Sequence, residues 1–247
     1  MAEKETAASI EKRPFCRRLL SLSSRYSTWQ VWSDFIMLFA ITISNAVDAA
    51  HRAARLEEYK RIIARYNADE RAVFPLLVED MVDALEANPK QDFLGSAYME
   101  LELGNDHAGQ FFTPYDVCRC MAEITVNSAA EQVLDKGWVT LNDCACGAGA
   151  TLIAGCHAIG KRLELVGRNW QQCVLVSAQD IDYTVGLMCY IQLSLIGAAG
   201  YVKIGNSLTD PMCADDEKKN YWYTPVYFSD VWQYRFIFHN LDKLFKK

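Results

Sequence analysis

The stretch Asp143-Cys144-Ala145-Cys146-Gly147-Ala148-Gly149 puts one carboxylate and a run of small residues between an apolar segment, Trp138 to Asn142, and a second apolar stretch opening near Gly149. Strand, small-residue loop and helix N-terminus in that order make a ligand seat. The first N–H groups of a helix lack intrahelical partners and carry partial positive charge, and small side chains let a ligand lie on the backbone. Taken alone, the same letters also fit a plain tight connection between a strand and a helix. A dinucleotide fingerprint fits less well: it needs a third glycine where Leu152 stands and an acid about 20 residues further on, whereas the next suitable acid is Asp180.

Three further segments carry polar groups at places where a ligand could use them. In Gly109-Gln110-Phe111-Phe112-Thr113-Pro114-Tyr115-Asp116, Thr113 can cap a helix, Pro114 suits its first position and Asp116 its third, which predicts a helix to about Val126. A strand from Cys173 to Ala178 ends in Gln179-Asp180-Ile181-Asp182. An acid at a strand tip is placed to accept both ribose hydroxyls of a nucleoside, and Ile181 can cover the purine. A helix over 183–196 stops at Gly197, and a third strand, Tyr201 to Ile204, leads to Gly205-Asn206-Ser207-Leu208. Alternating strands and helices, with ligand-type residues at the C-terminal end of each strand, predict a parallel sheet with one crevice.

With these blocks in order, the chain resembles the DNA adenine-N6 methyltransferases, in particular the methylation subunits of type I restriction-modification systems. The segment 109–114 is similar to that family's opening S-adenosylmethionine motif, and Asp92 to Gly95 with Tyr98 is similar to the segment before it. The loop 143–149 resembles Asp-Pro-x-x-Gly-x-Gly, with Cys144 in place of proline, and 205–208 resembles Gly-Asp-x-Leu, with Asn206 in place of the acid. Asp180 stands where the family usually has a ribose-binding Glu. The resemblance implies a Rossmann-like α/β methyltransferase sheet that binds S-adenosyl-L-methionine. It assigns Thr113 and Pro114 to the methionine end, Asp143, Ala145, Cys146 and Gly147 to the amino-acid moiety and backbone, Asp180 to the ribose and Asn206 to the adenine edge, with Gln110, Phe111, Phe112, Gly149 and Ile181 as further cofactor-binding residues. No metal is implied.

One part of the pattern is absent. The family accepts its target amine with Asn-Pro-Pro-aromatic, whose ring stacks on a flipped adenine, and none of the six prolines here adjoins another. The nearest remnant is Phe236-Ile237-Phe238-His239-Asn240, a strand-like run that leaves Asn240 as the candidate catalytic residue. Residues 209–247 have room for one more strand and a helix, so the sheet is expected to be incomplete in its C-terminal half and to need a partner or a second copy, unless the aromatic-rich tail covers its edge. Two functions follow. The chain methylates DNA itself or as a subunit of a restriction-modification-type complex, or it is an inactive S-adenosyl-L-methionine-binding protein that acts by interaction.

The elements that position these residues fall into three expected regions: a helical part (1–105), a cofactor-binding part (106–210) and an aromatic-rich tail (211–247). Val31, Phe35, Leu38 and Phe39, then Leu56, Tyr59, Ile62 and Ile63, repeat at helical spacing. Asp34, Ser44 and Asn45 interrupt the run Val31 to Val47, which therefore reads as a buried helix rather than a membrane span. Arg13, Arg17, Arg18 and Arg25 read as a solvated helix face. The net charge of −6 confines any DNA contact to a local patch or to a partner. Nine cysteines without a CxxC pair read as reduced thiols, and the polar first 12 residues do not read as a secretory signal, so a cytoplasmic protein is expected.

Overall fold

A computed structural model describes residues 7–103, 112–213 and 215–245, with side chains described from 14 to 239 within those ranges. Five helices come first: α1 (Ala7–Ser21), α2 (Thr28–Val47), α3 (Arg52–Ile63), α4 (Ala68–Ala87) and α5 (Phe93–Glu100). Local signals set their ends. Ser27 accepts from Gln30 N–H to open α2. Asn67 and Glu70 form a reciprocal capping box on α4, with backbone N–H groups donating at 2.9 and 2.8 Å. By length and composition α2 alone among the described residues would cross a membrane. Ten of its residues are buried in the protein, and its Asp34 accepts from Arg65 and from the Tyr66 hydroxyl, each at 2.8 Å. The basic face at the start of the chain is also partly committed, since Arg18 pairs with Asp80 at 2.7 Å and Arg25 with Glu70 at 3.4 Å.

After α6 (Tyr115–Thr125) and α7 (Ala129–Lys136) the chain enters an open sheet of β1 (Val139–Asp143), β2 (Val174–Asp180), β3 (Ala199–Ile204) and β4 (Tyr221–Tyr223). The spatial order is β1-β2-β3-β4; the first three strands are parallel and β4 runs antiparallel to β3. α8 (Ala150–Glu164) and the short α9 (Trp170–Cys173) connect β1 to β2, and α10 (Tyr183–Leu195) connects β2 to β3. The result is a mixed α/β fold. Residues 185–193 of α10 are all buried, because the helix lies between the sheet and α2, and a helix apolar on all sides needs neighbours on all sides. β1 is at the sheet edge, with Thr140 and Asn142 exposed.

The aromatic tail folds back on the sheet from the β3 side. β4 pairs with β3, the Thr224 hydroxyl donates to Ala198 C=O (2.7 Å) and accepts from Gly200 N–H (2.9 Å), and a 3-10 turn over Pro225–Phe228 leads to α11 (Asp230–Phe245). The strand expected at Phe236 to Asn240 is instead the middle of α11. Trp232, Phe236 and His239 recur at helical spacing, and that stripe prevails over the local run of β-formers. Trp232 is buried beside Leu175 and Ala199. Its Nε1 donates to Gln171 C=O at 3.0 Å, and Arg235 donates to Gly137 C=O at 2.7 Å. All of these partners lie at the N-terminal ends of the strands.

Arg55 fastens α3 to β4. Its guanidinium donates to Asp48 (2.9 Å), to Tyr221 C=O (2.7 Å) and to the Ser44 hydroxyl, and it lies 3.8 Å from the centre of the Trp222 ring. Both members of the Arg55–Asp48 pair are buried. Replacing Arg55 with Ala leaves the buried Asp48 carboxylate with His51 (2.7 Å) as its remaining side-chain partner, so Arg55→Ala is expected to lower the unfolding free energy by about 3 kcal/mol, the low end for breaking a buried pair. Urea unfolding followed by circular dichroism measures this, and an unchanged midpoint would remove Arg55 as the fastener.

Candidate functional site

β1 delivers Asp143 to the crevice, and residues 144–149 turn the chain into α8. The sequence places the helix start at Gly149; in the structure Gly149 is the cap, with a left-handed φ of +98°. An added Cβ there would also lie 2.9 Å from the Cys189 sulfur, so both conformation and packing ask for glycine. The Asp143 carboxylate organises the loop from one end, accepting from Ala145 N–H at 3.1 Å and from the Thr151 hydroxyl. Strand β2 holds the other end: Gln179 C=O accepts from Cys146 N–H (3.0 Å) and the Asp180 carboxylate from Gly147 N–H (2.8 Å).

Asp180 therefore has a structural role that its position at the strand tip does not reveal. Its second oxygen accepts from Asp182 N–H at 2.9 Å. Burial pushes its carboxyl above the usual range, opposed by these two backbone donors. Each carboxylate oxygen keeps a further lone pair. Beside it Ile181 is 69 % exposed, an apolar side chain at the lip of the crevice. Asn206 is half-buried, and its side-chain oxygen already accepts from Leu208 N–H at 2.9 Å, which leaves that oxygen one lone pair for a ligand. The Leu208 side chain is 90 % exposed.

The segment around Thr113 approaches the loop from the opposite side. Pro114, not Thr113, caps α6, and no side chain accepts at that helix start; the backbone turn alone opens it. Thr113 and Pro114 are exposed, and Phe112 lies against Gly147 and, at 5.3 Å between ring centres, against Tyr98. Tyr98 in turn meets Trp32 of α2 edge-on at 5.8 Å. Gln110 and Phe111 lie outside the described residues. Asn240 falls in α11, and its side chain also lies outside them; Trp232 and Arg235, earlier in α11, contact the N-terminal ends of the strands.

Asp92, Thr113, Asp143, Ala148, Ala150 and Thr151 help to line a cavity of about 110 Å³ at the loop. Two carboxylates, Asp92 and Asp143, line it together with the first turn of α8, whose first N–H groups lack intrahelical acceptors. A small group carrying both charges, ammonium toward the carboxylates and carboxylate toward the helix, matches that polarity.

Gln192 is the residue that sequence reasoning missed. Its Nε2 donates to Asp92 and to Ala148 C=O, both at 2.8 Å, and its Oε1 accepts from Leu94 N–H at 3.0 Å. Asp92 also accepts from Gly95 N–H at 2.9 Å, and a Cβ at Gly95 would overlap its carboxylate at 2.0 Å. A glutamine in the middle of the apolar run Tyr183 to Leu195 was the available signal, because a buried amide needs partners. Gln192→Leu leaves the Leu94 N–H without its acceptor and the Ala148 C=O without its donor. The expected loss of stability is about 1–3 kcal/mol for each unsatisfied group. An unfolding midpoint in urea equal to that of the unmodified protein would contradict the clamp.

A search of curated proteins gives no significant match. A family profile described as N-6 DNA Methylase matches residues 90–244, more than half of the chain and all of the crevice just described. The chain belongs to the N-6 DNA methylase family.

Proposed function

We propose that the crevice between the ends of β1, β2 and β3 binds S-adenosyl-L-methionine in a Rossmann-like manner, and that the chain is the cofactor-binding part of a DNA adenine-N6 methylating assembly of the restriction-modification type. The carrying observation is the two-signed cavity at the β1–α8 loop, which fits the methionine end of that cofactor. Members of this family generally use S-adenosyl-L-methionine. When bound, it supplies a methyl group on a sulfonium, ready for transfer to a nucleophilic amine.

The chain's own residues have distinct parts in this reading. Asp92 and Asp143 hold the ammonium, and the α8 N-terminus holds the carboxylate. Asp180 accepts the ribose hydroxyls on its remaining lone pairs while still anchoring Gly147 N–H. Ile181 and Asn206 border the adenine. The helical part before the sheet is a platform, and the tail closes the far end. A protein partner, or a second copy, supplies the groups that accept the target amine and contributes to DNA binding.

A second reading, an inactive cofactor-binding regulator, draws on one specific observation. The run nearest to a catalytic strand lies in α11, whose Trp232 and Arg235 contact the end of the sheet opposite the crevice. Isothermal titration of the purified protein with S-adenosyl-L-methionine, followed by labelled-methyl transfer to unmethylated DNA with and without candidate partners, separates the readings. Binding with transfer only in a partner's presence supports the first, and binding without transfer under any condition supports the second. Absence of binding overturns both. Asp180→Ala is expected to weaken binding by about 1–3 kcal/mol, roughly 5- to 150-fold in Kd. Asp180→Asn, which keeps one acceptor for Gly147 N–H, should lose less; equal affinity in all three proteins would remove the nucleoside from Asp180.

A further inference from the structure

The last helix has two apolar faces and uses one of them. Trp232 and Phe236 turn toward the sheet, where Trp232 is buried. Val231, Tyr234, Ile237 and Phe238 turn away from it, and the last three are 62, 52 and 64 % exposed. A helix lying on one sheet has one side to bury, and its outer side is ordinarily polar. Here the outer side presents aromatic and β-branched residues to water as one contiguous patch, the kind that marks an interaction surface.

The spacing of the patch identifies the kind of partner. Val231, Tyr234 and Phe238 stand three and then four residues apart, and the sequence continues the same alternation through Leu241 and Phe245, still within α11. A 3-4-3-4 spacing is the seam along which one helix packs on another; from Tyr234 to Phe245 it runs for about 17 Å at 1.5 Å of rise per residue. The flanks of this seam complement themselves. On one flank Arg235 donates to Gly137 C=O and makes no ion pair among the described residues, and about two turns on, along the same flank, the sequence has Asp242. On the other flank Ile237 is followed at the same interval by Leu244. Between two antiparallel copies of the helix, like flanks meet in reversed order, so position 235 comes opposite 242, 237 opposite 244 and 238 opposite 241. Charge then meets opposite charge and apolar meets apolar. Parallel helices would set Asp242 against Ile237 instead.

We infer that α11 pairs antiparallel with α11 of a second copy of this chain. Such a contact is isologous, each copy giving and receiving the same pairs, so it closes at two and does not propagate. Tyr and Phe side chains offer about 150–250 Å² each. A seam of this length on two copies reaches the lower end of the roughly 1,200–2,000 Å² of stable interfaces. The pairing lies toward the N-terminal ends of the strands, where Trp232 and Arg235 attach α11, and leaves the crevice at the opposite ends open. It goes beyond the function proposed above and holds whether or not the crevice binds S-adenosyl-L-methionine.

Sedimentation equilibrium of the full chain over a concentration series is expected to show monomer and dimer and nothing larger. Phe238→Glu puts a charge in the middle of the seam and is expected to weaken the dimer at least about 30-fold. Because Phe238 is exposed in the single chain, its urea midpoint at high dilution and its affinity for S-adenosyl-L-methionine should match those of the unmodified protein. Asp242→Arg sets like charges against Arg235 and should weaken the dimer about 3- to 10-fold. Asp230→Arg should leave it as it is, since position 230 comes opposite Arg235 only between parallel helices. A monomer at every concentration, a dimer indifferent to Phe238→Glu, or assemblies that grow beyond two overturn the inference. So does a dimer weakened by Asp230→Arg and not by Asp242→Arg, which would make the pairing parallel. Loss of cofactor binding with the dimer intact would count against the crevice and leave the pairing standing.

Discussion

The buried amide of Gln192 joins three parts of the chain that are distant in sequence. One face of the amide holds Asp92 and Leu94 at the end of the helical platform, and the other holds Ala148 in the loop between β1 and α8. A primary amide offers donors and an acceptor within one rigid plane, so replacing it by an apolar side chain or a carboxylate breaks at least one contact. The Asp92 carboxylate is held at the cavity by this amide and Gly95 N–H, which both donate to it. Without that support a buried carboxylate would take up a proton or move toward water, and the cavity would lose half of its polarity.

Much of the crevice was readable because it is encoded locally. A strand followed by small residues and a helix start fixes where a carboxylate and free N–H groups meet, and Asp143 and Asp180 are indeed at adjacent strand ends. What local sequence did not carry was the use of those groups by the protein itself. The Asp180 carboxylate ties the loop to β2, and the Asn206 oxygen closes its own turn. The first is a contact through space, set by strand order; the second is a local turn made with the residue two positions on. The cap of α6 was misread: Thr113 has the right chemistry, but the backbone puts the cap one residue later, at Pro114, and starts the helix at Tyr115.

The run Phe236 to Asn240 shows a competition between two periods. Aromatic and β-branched residues favour a strand, yet Trp232, Phe236 and His239 align only on a helix, and a helix lets Trp232 and Arg235 reach Gln171 and Gly137 together. Burial of one tryptophan outweighs propensities worth tenths of a kcal/mol each. The polar Thr140 and Asn142 on the outer strand fit the same pattern of control, since polar side chains at a bare edge discourage pairing with unrelated chains.

Among the described residues the cluster that holds α11 is small: Leu175, Ala199 and Trp232 are buried in it, apart from the larger core that unites the helical platform with the other face of the sheet. Stability in a folded chain is not uniform, and a segment attached by few buried side chains opens before the rest. The last helix is therefore a separate cooperative unit whose amides exchange with solvent earlier than those of α10. When it lifts, the starts of β1, β2 and β3 become accessible while the crevice at their far ends stays assembled, so the two ends of one sheet keep different lifetimes.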